Sequence, residues 1–217
     1  MNLYSFFNSS TSYRVRIALA LKGLKPDYHG VNIRVGEQLD ASYLENVNAS
    51  PSVPAITEGD FRLGQSIAII DWLDAHHPEP RLIPVEGELR ARVLEFSQVV
   101  ASEIHPLNNV RVLKYLQDVL WISAEQKDAW YRHWVAEGMT VLERLLERHA
   151  AEYGGPWCFG SSPTLADCCL IPQMSNAYRM KCDLSPYPRC QAVYEHARWD
   201  SAFISAEPQH QPDYIHP

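Results

Sequence analysis

Hydrophobic and polar positions in the first eighty residues follow two different periods, one typical of strands and one typical of helices. The predicted elements are a strand over Leu3–Phe7, a helix over Ser12–Gly23, a strand over Tyr28–Ile33, a short helix over Leu39–Val47, a hairpin of Ala55–Thr57 and Phe61–Leu63 around Glu58-Gly59-Asp60, and a helix from Ser66 to about His76. The order βαβαββα, with a proline before the hairpin, predicts an α/β thioredoxin-like domain over residues 1–80.

The composition changes after this region, where Pro78, Pro80 and Pro84 lie close together. We therefore expect a linker over residues 81–86. Apolar residues then recur at helical spacing, first at Val93, Phe96, Val100, Ile104 and Leu107 and later at Trp134, Val141, Leu142 and Leu145. This spacing predicts an all-α domain over residues 87–217. The tail from Glu207 to Pro217 is expected to be loosely held.

The overall balance of charge and hydrophobicity excludes several classes of protein. The chain has 217 residues, of which 46% are hydrophobic, and its net charge is -7 with no basic run. A nucleic-acid-binding protein normally carries a basic patch, so we expect no nucleic-acid partner. No apolar stretch approaches the roughly 18 residues that a membrane span requires, and the N-terminus lacks the pattern of a signal peptide. We therefore expect no membrane partner and a cytoplasmic protein.

The chain has five cysteines, namely Cys158, Cys168, Cys169, Cys182 and Cys190. They contain no C-x-x-C pair and no zinc-like spacing, so neither a disulfide framework nor a metal site is expected. Free cysteine is usually buried, and we predict that each is a packed thiol.

The segment Ser9-Ser10-Thr11-Ser12-Tyr13-Arg14-Val15-Arg16 concentrates hydroxyl groups, backbone amides and arginines at the start of a predicted helix. The amides of a first helical turn lack intrahelical partners and the helix dipole is positive there, so this position favours anions. A thiolate is an anion whose pKa falls in such a setting. We interpret the segment as the binding site of an external thiol. In isolation, Ser12 could also serve as an N-cap alone.

Two further segments in the first domain have both a structural and a ligand-binding interpretation. Pro54 precedes the first hairpin strand and indicates either a rigid turn or a cis bond that turns the Val53 backbone outward toward a peptide ligand. Ser66 indicates either a simple helix cap or a cap that also holds a ligand carboxylate.

The predicted helical domain offers three such segments. His105-Pro106 indicates a proline kink, or a kink whose polar neighbours form a wall of a pocket. Arg179 is either a solvated cation or a ligand for an anion. Thr164 and Asp167 have the spacing of a capping box, which should start a core helix.

These residues, taken together, resemble the zeta-class glutathione transferases, and in particular the maleylacetoacetate and maleylpyruvate isomerases. The family motif S-S-C-S-W-R-V-R corresponds here to residues 9–16. The resemblance continues through Ile17 to Gly23, Val53-Pro54, Gln65-Ser66 with Ala68-Ile69-Ile70, His105-Pro106-Leu107-Asn108-Asn109, Thr164 to Asp167 and Asp183 to Pro188, and so covers nearly the whole chain.

The resemblance implies a glutathione transferase fold, a bound glutathione cofactor and a homodimer. The glutathione site that it implies comprises Ser9, Ser10, Thr11, Ser12, Tyr13, Arg14, Gln38, Val53, Gln65, Ser66, His105, Asn109 and Arg111. Ser9, Ser10, Arg14 and Arg179 would be the catalytic residues, with Arg179 holding a carboxylate of the substrate.

This chain departs from the family motif at two positions. Thr11 replaces the motif cysteine, so glutathione must supply the sulfur, and Tyr13 replaces the tryptophan, which we expect to alter only packing. Some maleylpyruvate isomerases carry threonine at the position of Thr11 but arginine at that of Asn8, so Asn8 favours maleylacetoacetate as the substrate.

The implied reaction is the glutathione-dependent cis–trans isomerisation of a small anionic ene-dione, maleylacetoacetate, in aromatic amino acid catabolism. Three alternatives stay open: a maleylpyruvate isomerase of gentisate catabolism, a general transferase that conjugates electrophiles, and a glutathione-binding module without catalysis. A disulfide oxidoreductase is not expected, since Ser9 to Ser12 offer no protein nucleophile of that kind.

Overall fold

The computed structural model describes residues 1–216, so Pro217, the last residue of the predicted helical domain and tail, lies outside the described residues. The strands are β1 (Asn2–Ser5), β2 (Asp27–Gly30), β3 (Ala55–Glu58) and β4 (Phe61–Gly64). The α-helices are α1 (Ser10–Leu21), α2 (Ala41–Asn46), α3 (Ser66–His76), α4 (Gly87–Gln98), α5 (Val110–Asp118), α6 (Ala124–Tyr153), α7 (Leu165–Arg179), α8 (Pro188–Ala197) and α9 (Ser201–Ala206). Short 3₁₀ segments cover Glu37–Leu39 and Pro208–His210, and a π-helical segment covers Val99–Ile104.

Within residues 1–216 the strands form one mixed sheet in the order β2-β1-β3-β4. Strand β1 pairs parallel to β2 and antiparallel to β3, and β3 and β4 form the predicted hairpin. Leu3 and Ile56 are fully buried cross-strand partners, and Ile69 and Ile70 of α3 are also fully buried. The predicted order βαβαββα is therefore confirmed.

The described chain divides into two compact units. The first contains residues 1–83 together with residues 197–216, and the second contains residues 84–196. The predicted division at residues 81–86 is close to this boundary, but the assignment of the C-terminal segment to the helical domain is wrong. Helix α9 packs on α1, and its residues Phe203 and Ala206 are apolar and buried.

The predicted linker is in part ordered core. Leu82 and Ile83 are fully buried, and their amides both donate to the carboxylate of Asp74 in α3. Lys22, at the C-terminal cap of α1, places its ammonium 2.7 Å from the same carboxylate. The side chains of Lys22 and Asp74 are 0% and 3% exposed, so this is a buried ion pair that joins the end of α1 to α3.

The second unit is helical, as predicted. Helix α7 begins with the predicted capping box, in which Thr164 accepts from the amide of Ala166 and Asp167 accepts from the amide of Thr164. Asp167 also accepts from the amide of Cys158, so this fully buried carboxylate has several donors around it. Burial raises the pKa of Asp167, and these hydrogen bonds oppose the rise.

The cysteines behave largely as predicted. All five are free, and Cys158, Cys168, Cys169 and Cys190 are buried, whereas Cys182 is only half-buried. Burial raises the pKa of Cys158 and of Cys190 well above the ordinary value, which makes these thiols poor nucleophiles. Among the described residues, no helix is both long and apolar enough to cross a membrane.

Replacing Asp74 by Asn should lower the free energy of unfolding by about 3 kcal/mol, because it leaves the buried ammonium of Lys22 without its counter-charge. Urea unfolding followed by circular dichroism measures this loss. Glu45→Gln is the matched control, since it removes an exposed carboxylate and should be nearly neutral. A loss below about 0.5 kcal/mol in the Asp74 variant would contradict a structural role of the pair.

Candidate active site

The N-terminus of α1 is capped by Ser9, whose extended backbone precedes the first helical residue, Ser10. The Ser9 hydroxyl accepts from the amide of Ser12 at 3.3 Å, and the Ser9 carbonyl accepts from the amide of Tyr13. The interpretation of Ser12 as the cap was wrong by one turn. Ser12 is fully buried inside the first turn, where its hydroxyl accepts from the amide of Phe6 at 3.4 Å.

Thr11, at the position of the motif cysteine, links this cap to the loop before the hairpin. Its hydroxyl donates to the carbonyl of Val53 at 2.9 Å, and it lies 2.9 Å from the hydroxyl of Ser9. A carbonyl can only accept and Thr11 has one hydroxyl proton, so Ser9 is the donor in the Ser9–Thr11 bond. The Val53-Pro54 bond is cis, as one of the two sequence interpretations required.

Arg14 brings the first turns of α1 next to the start of α3. Its side chain is almost fully buried, and its Nη1 donates to the hydroxyl of Ser66 at 3.3 Å. Ser66 is the first residue of α3 and not its cap, so the cap prediction was wrong; the cap position belongs to Gln65, which makes no side-chain capping bond. A buried guanidinium beside a helix N-terminus concentrates positive potential, which favours an anionic ligand.

Two predicted binding residues, Gln65 and Gln38, carry local signs of a ligand-binding role. Gln65 has φ = +67°, a left-handed conformation that is strained for a residue with a side chain, and it is exposed. Strain of this kind concentrates at binding sites. Gln38 lies in the 3₁₀ segment and has a buried Oε1 without a hydrogen-bond partner among the described residues. Buried polar atoms normally have partners, so this oxygen is available to a donor.

Ser10 and Tyr13, the remaining hydroxyl and aromatic residues of the motif, are buried. Ser10 and Tyr13 both lie in the first turn of α1 with little exposed surface. The guanidinium of Arg16 lies over the ring of Tyr13, 5.2 Å from its centroid. Tyr13 therefore contributes packing, which is the role expected for the residue that replaces the motif tryptophan.

The other predicted site residues lie in the second unit. His105 follows the π-helical segment, and its Nε2 lies 3.2 Å from the side-chain nitrogen Nδ2 of Asn109. Asn109 caps α5 by accepting from the amide of Arg111, whose side chain is exposed. Arg179 is exposed in the last turn of α7 and donates to Asn176 at 3.0 Å. These residues form two local groups, one before α5 and one at the end of α7.

Tyr131 and Gln173 are polar residues of the second unit that sequence reasoning missed. Tyr131 is buried in α6, and its carbonyl accepts from Asn108 of the His105 segment. Burial raises the pKa of Tyr131 to about 12, and the charge of Arg179 opposes the rise, so Tyr131 lies within electrostatic reach of Arg179. Gln173 is buried in α7, with its Nε2 lacking a hydrogen-bond partner among the described residues. Tyr131 lies three residues before Trp134, and such helical spacing indicates a core position, so the sequence did not distinguish it as a site residue.

Two family descriptions match this chain. Residues 3–81 match the N-terminal domain of glutathione S-transferases, and residues 128–196 match the C-terminal domain. The chain belongs to the glutathione S-transferase family. The expected glutathione transferase fold, an α/β thioredoxin-like domain followed by an all-α domain, is thereby confirmed.

Within this glutathione S-transferase family, the chain is similar to curated relatives and solved structures that are maleylacetoacetate or maleylpyruvate isomerases. A probable maleylacetoacetate isomerase of Vibrio cholerae is 41% identical over 213 residues, which cover 97% of each chain. The structure of maleylpyruvate isomerase from Pseudomonas aeruginosa is 48% identical, covers 99% of this chain and 100% of its own, and has a TM-score of 0.86. A maleylacetoacetate isomerase of Anaeromyxobacter dehalogenans, solved with bound GSH, is 36% identical over 99% and 97% of the two chains, with a TM-score of 0.86. The resemblance to the zeta-class isomerases is confirmed.

Replacing Thr11 by Val should lower the free energy of unfolding by about 1 kcal/mol, because the isosteric side chain makes neither the bond to Val53 nor the one to Ser9. Thermal and urea unfolding measure the change. Thr11→Ser keeps the hydroxyl and should retain most of this stability. Equal stabilities of the Val and Ser variants would show that the Thr11 hydroxyl bridge contributes nothing.

Proposed function

We propose that this glutathione S-transferase is a maleylacetoacetate isomerase, which converts maleylacetoacetate to fumarylacetoacetate with glutathione as a cofactor that is not consumed. The observation that carries the proposal is the buried Arg14 joined to Ser66 beside the capped N-terminus of α1, a setting built for an anion. It is supported by the maleylacetoacetate isomerase of Anaeromyxobacter dehalogenans, which is solved with bound GSH.

The first task of the protein is to hold glutathione as the thiolate. Ser9 and Ser10 supply hydroxyl groups at the start of α1, where the positive end of the helix dipole lowers the pKa of a thiol. The chemistry that glutathione supplies when bound is reversible thiolate addition to the alkene, which permits rotation about the former double bond. Ser9 can donate to that sulfur after its hydroxyl rotates away from Thr11.

The second task is to position the rest of the tripeptide. The hydroxyl of Ser66 and the amides at the start of α3 suit a carboxylate, and Gln65 lies at the same helix end. The carbonyl of Val53 keeps a second lone pair for a peptide amide, since Thr11 occupies only one. On the strength of the family resemblance alone, we also propose glutathione-binding roles for Gln38, Thr11, Ser12 and Tyr13 of the first unit and for His105, Asn109 and Arg111 of the second.

The third task is to bind the dicarboxylate substrate and to stabilise the enolate that forms during isomerisation. We assign the substrate carboxylate to Arg179, which is exposed and donates to its own helix neighbour Asn176 at 3.0 Å. A guanidinium forms paired, charge-assisted hydrogen bonds with a carboxylate. Arg14 is assigned to the stabilisation of developing negative charge.

We further propose a cytoplasmic homodimer that acts in tyrosine and phenylalanine catabolism. An exposed aromatic stack supports dimerisation: Phe61 of β4 stacks on Trp72, and Trp72 on His76, along one face of the first unit. Half-exposed aromatic rings of this kind are enriched in protein interfaces. A second copy of the chain is the partner that the resemblance implies.

A maleylpyruvate isomerase is the second candidate. The maleylpyruvate isomerase of Pseudomonas aeruginosa is 48% identical to this chain, a higher value than that of the maleylacetoacetate isomerase of Vibrio cholerae, which is 41% identical. Asn8 favours maleylacetoacetate, because some maleylpyruvate isomerases carry arginine there. The relative values of kcat/KM for the two substrates decide between these assignments.

Replacing Ser9 by Ala should slow the isomerisation of maleylacetoacetate at saturating glutathione by at least about tenfold, because the thiolate loses a hydroxyl donor and α1 loses its cap. The rate is measured from the loss of substrate absorbance, and ultraviolet titration of the glutathione complex reports the pKa of the bound thiol, which should rise in the variant.

Ser42→Ala, which changes an exposed hydroxyl in α2, is the matched control and should leave the rate unchanged. A Ser9→Ala enzyme with wild-type activity would refute the role of Ser9. Consumption of glutathione by a chlorinated aromatic without isomerisation of either ene-dione would favour a general transferase, and glutathione binding without any turnover would favour a binding module.

Replacing Arg179 by Met should raise the KM for maleylacetoacetate by at least about tenfold and leave the affinity for glutathione unchanged, because the charge-assisted hydrogen bonds to the substrate carboxylate are lost. Initial rates at varied substrate and fixed glutathione measure the effect. Arg148→Met removes an exposed arginine of α6 and serves as the control. An unchanged KM in the Arg179 variant would move the substrate carboxylate to another residue.

A further inference from the structure

The turn that leads from β1 to the cap of α1 is held through its backbone amides. The amide of Phe6 donates to the hydroxyl of Ser12, and the amide of Phe7 donates to a carboxylate oxygen of Asp213 at 2.9 Å. Asp213 comes 206 residues later in the chain, in the tail that the sequence predicts to be loose. That prediction was wrong for this residue, which is bonded to the turn before the active-site serines.

The carbonyls of the same turn also have donors. Arg16 donates to the carbonyl of Phe6 at 3.3 Å and to that of Phe7 at 3.0 Å. The amide of Ser9 also donates to the carbonyl of Phe6 at 3.0 Å. The amide and carbonyl groups of both phenylalanines therefore have protein partners, and the position of Ser9 follows from theirs.

Asp213 is itself fixed on two sides. Its second carboxylate oxygen accepts from the hydroxyl of Tyr28 at 2.6 Å. Its Cβ lies so close to β2 that a Cβ on Gly30 would be only 2.8 Å away, so this approach requires glycine at position 30. Burial and the bond to Asp213 raise the pKa of Tyr28 above its ordinary value, so Tyr28 remains a donor at physiological pH.

Arg16 joins the tail to the turn a second time. Its Nε donates to the carbonyl of Ala206, the last residue of α9, at 3.0 Å. Burial lowers the pKa of Arg16 to about 10, and the charge of Asp213 opposes this fall, so Arg16 stays protonated at neutral pH. The ring of Tyr214 adds an edge contact to Phe7, with centroids 5.3 Å apart.

We propose that Asp213 is a positioning residue of the glutathione site, which acts through the Phe6-Phe7 turn on Ser9. The proposal rests on the proposed function, because it concerns the same glutathione site. Asp213 does not need to touch glutathione. It fixes the amide of Phe7 while Arg16 fixes the carbonyl of the same residue, so that the turn holds the cap of α1 in the position that thiolate binding requires. Small displacements of reactive groups lower activity strongly.

Replacing Asp213 by Asn tests this role with little change in shape. Phe7 and Tyr28 donate to different carboxylate oxygens, so in the amide one of these two positions becomes an NH2 donor and that bond is lost, and the side chain no longer neutralises Arg16. We expect the Kd for glutathione, measured by calorimetry, to rise about tenfold, and the pH profile of kcat to shift to higher pH as the thiolate is stabilised less well. Tyr28→Phe removes only one of the two bonds and should produce a smaller change in the same direction.

Asp200→Asn is the matched control, because it removes a carboxylate from the same C-terminal segment that only caps α9, and Asn is an equally good cap. It should bind glutathione as the wild type does. A Kd within about twofold of wild type and an unshifted pH profile in Asp213→Asn, with lowered thermal stability, would reduce Asp213 to a structural residue and overturn the proposal.

Should Asp213→Asn fail to fold, Tyr28→Phe decides alone: weaker glutathione binding supports the proposal, and unchanged binding overturns it.

The wild-type protein separates this inference from the proposed function. A wild type that binds glutathione and isomerises maleylacetoacetate, beside an Asp213 variant that does the same equally well, overturns only the positioning role. A wild type that does not bind glutathione overturns both.

Discussion

The geometry of the candidate active site depends on the backbone turn between β1 and α1. A helix N-terminus can lower the pKa of a bound thiol only if its first amides point at a fixed position, and that position is set where the helix begins. Here Arg16 and Asp213 hold the carbonyls and an amide of the turn, and Ser9 follows as the cap. The N-terminus of α1, the proposed thiolate site, is thus supported through the turn by the buried cation of Arg16 and the carboxylate of Asp213.

Arg14 and Arg16 show how two identical residues in one motif acquire different roles. Both lie on α1 and both are almost fully buried. Arg14 donates to Ser66 at the start of α3, where its charge can act on a ligand, whereas Arg16 donates to carbonyls of the turn and of α9. The sequence alone indicates only that arginines accumulate at the helix start. Two positions apart on a helix, their side chains point about 160° apart, and each meets a different set of partners.

The elements of the first unit were predictable because they depend on local pattern, and α3 spans the predicted residues Ser66 to His76. The start of α1 was less predictable, since Ser9 and Ser12 are both good cap residues. The choice between them depends on Phe6, whose backbone amide donates to the Ser12 hydroxyl. The place of the C-terminal tail could not be predicted at all. The partners of Asp213 are far away in sequence, and a short polar segment gives no periodic signal of burial.

Of the predicted site, the hydroxyl cluster of Ser9 to Ser12 and the positions of Val53 and Ser66 could be placed from sequence, because helix starts and a proline-bounded loop have distinct patterns. Their connections could not. The pair formed by Arg14 and Ser66 joins residues 52 positions apart, and the bond between Thr11 and Val53 joins residues 42 apart. Hydrogen bonds at such separations depend on how the helices pack on the sheet, and side-chain type alone does not fix this.

Thr11 illustrates what a single departure from a family motif does physically. A cysteine thiol is a weak donor and a weak acceptor, so it would hold the carbonyl of Val53 and the hydroxyl of Ser9 less firmly than the threonine hydroxyl does. The exchange therefore replaces a polarisable group by a stronger hydrogen-bond bridge between α1 and the loop before β3. Because the one proton of Thr11 goes to Val53, the proton of Ser9 is directed to Thr11, and a bound thiolate must compete for it. In the proposed glutathione complex the thiolate would win this competition, since hydrogen bonds to charged acceptors are about twice as strong as neutral ones. Under this proposal the threonine keeps Ser9 ordered and leaves it able to donate to the sulfur.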